Sequence, residues 1–366
     1  MSRAKVISIV SGKGGCGKSL LTAVMGKTLA RESVRVLLVD MDIFVRGLTV
    51  LLQDFRQAPI DGGRNMTVSG ILGVFAENSE SYAPLPFSVD DLSIQRFFEC
   101  DVLQSVSSVS DPLDYSDRSL SDRKFGETQI STLLSAVRET YDYVILDNRA
   151  GMDALILASC QESDLIISVA EDDEVGRQTN VNVINYLRFD QRMRTIYTVL
   201  NKCRRISSFA DISKRLESRD EFSTIGVIPF DIEIHDDFGS DAFWNTVNET
   251  LYFRAMIDAW NRLATKEGVT EIKLSRYRFP SRIFMSPSTG RYSLLERMMR
   301  VYSVFFIASG MGVWLYSKWL FHQMSQFELA ATVSLAIGFI SLLLSTSPAS
   351  SWLMGENRSR NSKQPH

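Results

Sequence analysis

The sequence predicts a doubly wound α/β domain with a mostly parallel sheet, followed by two transmembrane helices. Apolar runs of strand length alternate with amphipathic stretches over residues 1–268. The first run ends in a glycine-rich turn that leads into helical spacing, and two longer apolar runs lie near the C-terminus. We therefore expect an α/β domain over 1–268, a basic linker over 269–300, a helical hairpin over 301–346 and a tail over 347–366.

The opening of the chain predicts a strand–loop–helix–strand unit. Residues 5–11 (KVISIVS) are a short, β-branched apolar run, which is typical of a buried strand. Residues 19–31 follow with helical spacing, and residues 34–40 (VRVLLVD) form a second buried run. Two such strands joined through a helix are expected to be parallel.

The same alternation continues along the domain. Strands are predicted at residues 143–146, 165–170, 196–200 and 225–228, and helices at 129–140 and 247–264. Residues 53–122 are rich in Ser, Asp, Pro and Gly and show no clean period. We expect surface excursions there, around strands such as residues 92–98.

Charge divides the chain into two parts of opposite sign. Residues 1–268 carry a net charge of −10 and residues 269–366 carry +7, within a total of −3. The acidic part is poorly suited to polyanions such as nucleic acid, whereas the basic part suits the anionic inner face of a membrane. The four cysteines form no C-x-x-C pair and only three histidines are present, so neither a disulfide framework nor a zinc cluster is expected.

The two long apolar runs predict a membrane hairpin. Residues 301–321 and 327–346 each have the length needed to cross a hydrocarbon core, and neither has a polar face. Lys and Arg residues flank the pair on both sides but are absent from the connector, residues 322–326. The positive-inside rule then places both chain ends in the cytoplasm, so we expect a multi-pass anchor in a bacterial inner membrane with the domain in the cytoplasm.

Residues 12–19 (GKGGCGKS) satisfy the phosphate-loop pattern G-x-x-x-x-G-K-[ST] between a predicted strand and helix. Glycines let consecutive backbone N–H groups turn around phosphate oxygens, and the helix N-terminus adds partial positive charge. Lys18 is predicted to neutralise the β- and γ-phosphates of ATP, and the Ser19 hydroxyl to bind Mg²⁺. The predicted nucleotide-binding residues of this segment are Gly12, Gly14, Gly15, Cys16, Gly17, Lys18, Ser19 and Leu20.

Carboxylates follow two of the predicted strands. Asp40 and Asp42 are two residues apart, so both can be presented at the carboxyl end of a strand beside the phosphates. Asp40 is predicted to support either Mg²⁺ or the loop. Asp147 ends the apolar run 143–146 and is predicted to hold Mg²⁺ through water.

The K-G-G-x-G-K-[ST] form, with an additional lysine at Lys13, resembles the deviant Walker A motif of the MinD/ParA ATPases. The resemblance implies that Lys13 reaches across a nucleotide-sandwich homodimer to the phosphates of the second copy. It implies that Asp42 positions the attacking water, which makes Lys13, Lys18 and Asp42 the catalytic residues. It also implies that Asn201 of the Asn201–Lys202 pair bonds the adenine edge, and that residues 225–231 (IGVIPFD), including Pro229, lie beside the base.

The sequence departs from the family pattern after Asp147. The family continues with D-x-P-A-G, whereas residues 147–151 are DNRAG, so Arg149 replaces the proline. We expect Arg149 to pair with a nearby carboxylate such as Asp153, and a direct role as an arginine finger is the alternative. The D-I-x-x-R-x-L continuation from Asp42 resembles MinD more than plasmid ParA proteins.

Together these features predict a membrane-anchored ATPase that binds ATP and Mg²⁺, pairs through its nucleotide face and acts as a slow switch for an unidentified protein partner. One alternative is a ParA-like DNA or cargo partitioning ATPase, with Arg204, Arg205, Lys214 and Arg215 as its candidate basic cluster. Another is a bacterial tyrosine-kinase-like protein, which the tyrosine-free tail 347–366 disfavours. A membrane-protein delivery ATPase of the ArsA/Get type would need a large apolar groove that the sequence does not indicate. A degenerate, non-hydrolysing binding module is a further alternative, because of Arg149.

Overall fold

Eight strands form a single sheet in the computed structural model of this chain. The structure describes residues 3–52, 66–73, 87–106, 121–189, 195–204, 223–231, 234 and 240–277. The strands are β1 (Lys5–Ser11), β2 (Val36–Asp40), β3 (Ile94–Phe97), β4 (Cys100–Leu103), β5 (Tyr143–Ala150), β6 (Leu165–Glu171), β7 (Ile196–Cys203) and β8 (Thr224–Pro229).

Among the described residues, six α-helices lie between these strands in the chain, as in a doubly wound fold, and two follow β8. They are α1 (Lys18–Ala30), α2 (Gly47–Leu51), α3 (Val68–Gly73), α4 (Arg123–Val137), α5 (Ala154–Glu162), α6 (Glu174–Phe189), α7 (Asp241–Thr246) and α8 (Leu251–Glu267). Short polar side chains begin several of them. Asp122 caps α4, Asp153 caps α5 and Thr250 caps α8, each accepting a backbone N–H of the first turn.

The strand order is β3-β4-β2-β5-β1-β6-β7-β8, and every neighbouring pair is parallel except β3 with β4. The mostly parallel sheet predicted from the sequence is therefore confirmed. One or two strands were expected around residues 92–98, and two are found, of which β3 lies within that range. Phe98 adopts a φ of 49°, so the chain turns after β3 and returns as the antiparallel strand β4.

Apolar side chains cover both faces of the sheet. The core on one face joins α1, α7 and α8 to the strands, and the core on the other joins α3, α4, α5 and α6. Because the strands are buried on both sides, their sequences are continuous apolar runs. Several strands extend beyond their predicted ends into polar residues: β5 continues through Asp147 and Arg149 to Ala150.

The chain beyond α8 packs back on the domain. Gly268 ends the helix with a φ of 63°, and the Trp260 indole N–H then donates to the Thr270 carbonyl at 2.7 Å. The Asn261 amide exchanges two hydrogen bonds with the Ile272 backbone, at 2.8 and 2.9 Å. The beginning of the predicted linker, residues 269–277, therefore lies on the α/β domain.

Among the residues that the structure describes, no helix combines the length and apolar character needed to cross a membrane. The predicted spans at residues 301–321 and 327–346, the tail and the rest of the linker lie outside the described part of the chain. The same is true of Arg205, Lys214 and Arg215 in the candidate basic cluster.

Candidate functional site

The glycine-rich segment turns from β1 into α1 at the carboxyl edge of the sheet. Gly15 and Gly17 have φ values of 76° and 91°, a backbone region that favours glycine. Gly17 is the N-cap of α1 and has no side chain to accept the N–H groups of the first turn. These N–H groups and the positive end of the helix dipole are therefore available to an anion.

Two glycines of the loop are also required by close packing. A Cβ atom on Gly12 would lie 2.6 Å from the carbonyl oxygen of Thr179 in α6. A Cβ atom on Gly17 would collide with the side-chain amide nitrogen of Asn201. Larger side chains at either position would displace the loop from its neighbours.

Asn201 and Lys202, at the end of β7, hold the loop by its carbonyl oxygens. The Asn201 Nδ2 group donates to the Cys16 carbonyl at 2.8 Å, and the Lys202 Nζ group donates to the Gly15 carbonyl at 2.6 Å. The Asn201 Oδ1 atom accepts the Lys202 backbone N–H at 2.9 Å, so both ends of this amide are engaged. The structure gives Asn201 a loop-positioning contact, while the adenine contact implied by the resemblance stays a prediction.

Asp147 provides the carboxylate beside Ser19. The Ser19 hydroxyl bonds this carboxylate, and Thr22 Oγ1 donates to its Oδ1 atom at 3.3 Å. The side chain is buried, and burial raises the pKa of Asp147 to about 6, against the lowering effects of the Ser19 bond and of Lys18. The other oxygen, Oδ2, has no hydrogen-bond partner among the described residues. A buried, unpartnered carboxylate oxygen next to a hydroxyl is a fitting place for Mg²⁺, a hard cation that prefers oxygen ligands.

Asp40 is engaged in the loop that follows it. Its Oδ2 atom accepts the backbone N–H and the hydroxyl of Thr49, both at 2.7 Å, and its Oδ1 atom accepts the Asp42 N–H at 3.1 Å. Burial, followed by the negative charge of Asp147, raises the pKa of Asp40 to about 7. Of the two predicted roles of Asp40, this geometry favours support of the segment that follows β2, while its role as a metal ligand stays a prediction.

Asp42 lies at the start of that loop and faces the phosphate end of the site. Its Oδ1 atom accepts the Val45 N–H at 3.0 Å, and the residue lines the cavity beside Gly14 and Ser19. The loop approaches the magnesium end closely at Gly47, where a Cβ atom would lie 2.9 Å from the Ser19 Oγ atom. The absence of a side chain at Gly47 therefore keeps space around the hydroxyl.

Lys13 points away from its own loop and forms two ion pairs within the chain. Its Nζ atom lies 2.9 Å from Glu171 Oε2 and 2.9 Å from Asp173 Oδ2. The hydrogen bonds that Lys13 donates to these carboxylates, Glu171 first, raise the pKa of Lys13 above its usual range. The implied reach of Lys13 to a second copy stays a prediction.

These residues surround a cavity of about 1040 Å³. Most of the predicted site residues line it, namely Gly14, Gly15, Gly17, Lys18, Ser19, Leu20, Asp42, Asn201, Lys202 and Pro229. Gly12, Lys13, Cys16, Asp40 and Asp147 are near the cavity but outside its lining. The lining residues that sequence reasoning did not assign to the site are Phe44, Val45, Gly47, Val50, Leu51, Arg149, Ala150, Phe230, Asp231, Ile234 and Tyr252. Most of these residues are apolar, and their spacing in the sequence does not distinguish them from residues of the hydrophobic core. Phe230 and Asp231 directly follow Pro229, in the segment that is predicted to lie beside the base.

A parallel α/β sheet with a phosphate loop between β1 and α1, and a carboxylate beside the loop serine, defines a nucleotide-binding protein of the P-loop class. Residues 7–241 match the CobQ/CobB/MinD/ParA nucleotide binding domain family. This match covers more than half of the chain, and the chain belongs to that family.

Individual relatives match over shorter segments. The chain is 26% identical over 184 residues to the septum site-determining protein MinD of Helicobacter pylori, which covers 50% of this chain and 59% of that protein. A MinD protein of Chlorella vulgaris is 52% identical over 48 residues, 13% of this chain and 17% of that protein. The chain thus spans less than two thirds of the length of either relative.

Among solved structures, the septum site-determining protein MinD of Pyrococcus horikoshii OT3, complexed with Mg-ADP, has the same fold. It superposes with a TM-score of 0.52 at 21% identity, over 72% of this chain and 98% of that chain.

Proposed function

We propose that this chain binds Mg-ATP in the cavity and hydrolyses it as a switch. The observation that carries the proposal is the unpartnered Oδ2 atom of Asp147, buried beside the Ser19 hydroxyl at the start of the phosphate loop. An oxygen atom in this state is stabilised by a cation, and the loop amides are suited to the phosphates that accompany the cation. The Mg-ADP bound to the Pyrococcus MinD, which has this fold, supports the same choice of ligand.

Each residue of the site then has a physical task. The N–H groups of residues 14–19 bind phosphate oxygens, and Lys18 neutralises their charge. Ser19 and Asp147 hold Mg²⁺, which stabilises negative charge on the phosphates when it is bound. Asp42, on the cavity wall, orients the attacking water. Asn201 and Lys202 keep the loop carbonyls turned outward, so that the amides stay directed at the ligand.

The switch operates by pairing of two copies through the nucleotide face. Lys13 leaves Glu171 and Asp173 and contacts the phosphates of the second copy, so that hydrolysis depends on the pair. The paired and unpaired forms present different surfaces, and a protein partner that prefers one form is recruited or released according to the nucleotide. The identity of that partner is not part of the proposal.

The pair is held at the bacterial inner membrane by the hairpin of residues 301–321 and 327–346. The support for this is their apolar length and the basic residues on both sides. A spanning hairpin does not leave the bilayer at each cycle, so ATP controls pairing and partner choice at a fixed location. Confinement to the membrane also raises the effective concentration of the domains.

Calorimetry on the full-length chain tests nucleotide binding. We expect Mg-dependent binding of ATP to the wild type, and loss of at least about tenfold in affinity in Lys18→Ala, because a charge-assisted contact to phosphate is removed. The matched control is Lys124→Ala, an exposed lysine in α4. A wild type that binds ATP equally well with and without Mg²⁺, or not at all, would contradict the proposed function.

Extraction of membranes at alkaline pH tests the anchor. The full-length chain should stay in the pellet, whereas a chain ending after residue 277 should be released into the supernatant. Release of both forms would contradict the hairpin and leave the nucleotide proposal standing.

A further inference from the structure

Arg149 lies near the end of β5, beside the cavity. The pairing of β5 with β1 shifts register between Asp147 and Ala150, so a β-bulge falls at residues 148–149 and the regular alternation of side chains is interrupted there. Asp147 lies beside Ser19, and Arg149, two residues further toward the carboxyl edge, lines the cavity. The Arg149 side chain is 32% exposed.

Two contacts hold the guanidinium group in place. Its Nε atom lies 2.9 Å from the Oδ2 atom of Asp153, and its central carbon lies 5.0 Å from the centre of the Phe44 ring. Asp153 is itself fixed, because its Oδ1 atom caps α5 by accepting the Ile156 N–H at 2.9 Å. Phe44 belongs to the loop that follows Asp42, so Arg149 connects the loops after β2 and β5.

These contacts leave one side of the guanidinium available. An arginine has five N–H donors in a planar fork. Asp153 forms an ion pair at the Nε edge, and its Oδ2 atom has no hydrogen-bond partner among the described residues. The two terminal nitrogens of Arg149 have no hydrogen-bond acceptor among the described residues. A guanidinium fixed at one edge with its fork unoccupied is arranged for bidentate binding of a phosphate or carboxylate.

The neighbours of Arg149 indicate which part of the ligand it meets. Its neighbour Ala150 lies near the phosphate loop, since a Cβ atom built on Gly14 would be 4.0 Å from the Ala150 Cβ atom. Among the described residues that line the cavity, three are cationic, and Lys202 gives its ammonium group to the Gly15 carbonyl. Lys18 and Arg149 are therefore the two cationic side chains of this lining that are able to bind a negatively charged group inside the cavity.

We propose that Arg149 binds the terminal phosphate of the nucleoside triphosphate and lets this chain distinguish ATP from ADP. The inference rests on the proposed function, since it requires a nucleotide in the cavity. The alternative is that Arg149 only pairs with Asp153 to hold the start of α5. The two roles differ because the ion pair needs one donor edge, whereas phosphate binding needs the fork.

Titration calorimetry of the full-length chain with Mg-AMPPNP and Mg-ADP tests this assignment. In Arg149→Ala, the affinity for Mg-AMPPNP should fall on the order of tenfold, while the affinity for Mg-ADP changes less than about twofold. Arg149→Lys keeps a cation for Asp153 but lacks the fork, so it should also lose several-fold in preference for the triphosphate. The matched control is Arg262→Ala, which removes another ion pair between residues four apart, with Asp258 at 2.7 Å and comparable exposure.

Each outcome of this experiment has a distinct meaning. Equal loss of both nucleotides in Arg149→Ala, or an Arg149→Lys variant that keeps the wild-type ratio of affinities, would overturn the assignment and leave the ion pair as the role of Arg149. A wild type that binds neither nucleotide would instead refute the proposed function.

Discussion

Asp40 and Asp147 are register partners across β2 and β5, and both side chains are buried at the same edge of the sheet. Burial is the largest cause of the raised pKa of each carboxyl group, to about 7 for Asp40 and about 6 for Asp147. The negative charge of Asp147 further raises the pKa of Asp40. In the absence of a cation, the folded protein therefore contains two carboxyl groups that resist ionisation.

This pair predicts that the nucleotide-free protein loses stability as the pH rises. Below pH about 4 both groups are protonated in the folded and unfolded chains, so their ionisation does not change the free energy of unfolding. Between pH about 4 and 7 the unfolded chain releases these protons first, and the free energy of unfolding falls by several kcal/mol, since each unit of pKa difference corresponds to about 1.4 kcal/mol. Asp40→Asn should flatten this slope in denaturation curves recorded without Mg²⁺. A slope equal to that of the wild type would contradict the prediction.

Asp147→Asn should change stability and binding in opposite directions. Removing the charge removes the free-energy cost of burying it and its repulsion with Asp40. The nucleotide-free variant should therefore unfold at a higher denaturant concentration than the wild type above pH 7. The same change removes a proposed Mg²⁺ ligand, so Mg-dependent ATP affinity should fall by tenfold or more, an estimate of about 1.4 kcal/mol or above. Asp258→Asn, in a partly exposed ion pair on α8 that lies outside the site, should affect neither measurement appreciably. Loss of both stability and binding would indicate a structural role instead.

Gly47→Ala tests the space around the Ser19 hydroxyl. The new Cβ atom would lie 2.9 Å from the Ser19 Oγ atom, so one of the two loops must move. We expect a several-fold loss of Mg-ATP affinity in calorimetry, with a destabilisation on the order of 1 kcal/mol. Gly70→Ala is the matched control, because its Cβ atom meets only Thr67 Oγ1 at 3.7 Å. Wild-type affinity in Gly47→Ala would show that the loop tolerates the contact.

Contacts between residues that are close in the sequence could be predicted, whereas contacts between residues that are far apart in the sequence could not. The phosphate loop, α1 and Asp147 depend on local signals, since glycines, a helix start and a strand end lie within single segments. The pairing of Arg149 with Asp153 was predicted and is confirmed, because the two residues lie four positions apart. The partners of Lys13 and Asn201 are 158 to 185 residues away, and no spacing rule connects them. The hydrogen bonds between Asp40 and Thr49 could not be predicted either, because the short helix α2 that carries Thr49 has no clear signal in the sequence.

The ion pairs of Lys13 predict a resting state that opposes pairing of two copies. Lys13 must leave both carboxylates before it can reach another molecule. Glu171→Gln combined with Asp173→Asn should therefore increase the ATP-dependent dimer fraction several-fold in analytical ultracentrifugation, whereas Lys13→Ala should abolish it.

The matched control for this double substitution lies in the same acidic segment. Glu174 pairs with Arg177 at 2.6 Å and is not bonded to Lys13, so Glu174→Gln should leave the dimer fraction unchanged. A double variant that dimerises no more than the wild type would show that the two carboxylates do not restrain Lys13.

Lys27 predicts a second pH dependence, of opposite sign, far from the nucleotide. Its ammonium group is buried in the last turn of α1, where it donates to the Trp244 carbonyl at 3.0 Å and lies 4.1 Å from the centre of the Phe98 ring. Burial, followed by the charge of Arg31, lowers the pKa of Lys27 to about 8. Because the unfolded chain keeps this proton up to a pH of about 10, the free energy of unfolding should rise between pH 8 and 10, on the order of 3 kcal/mol. Lys27→Met should remove this rise in denaturation curves, and Lys124→Met, at an exposed position, should retain it. Identical slopes in the two variants would mean that Lys27 titrates as it does in water.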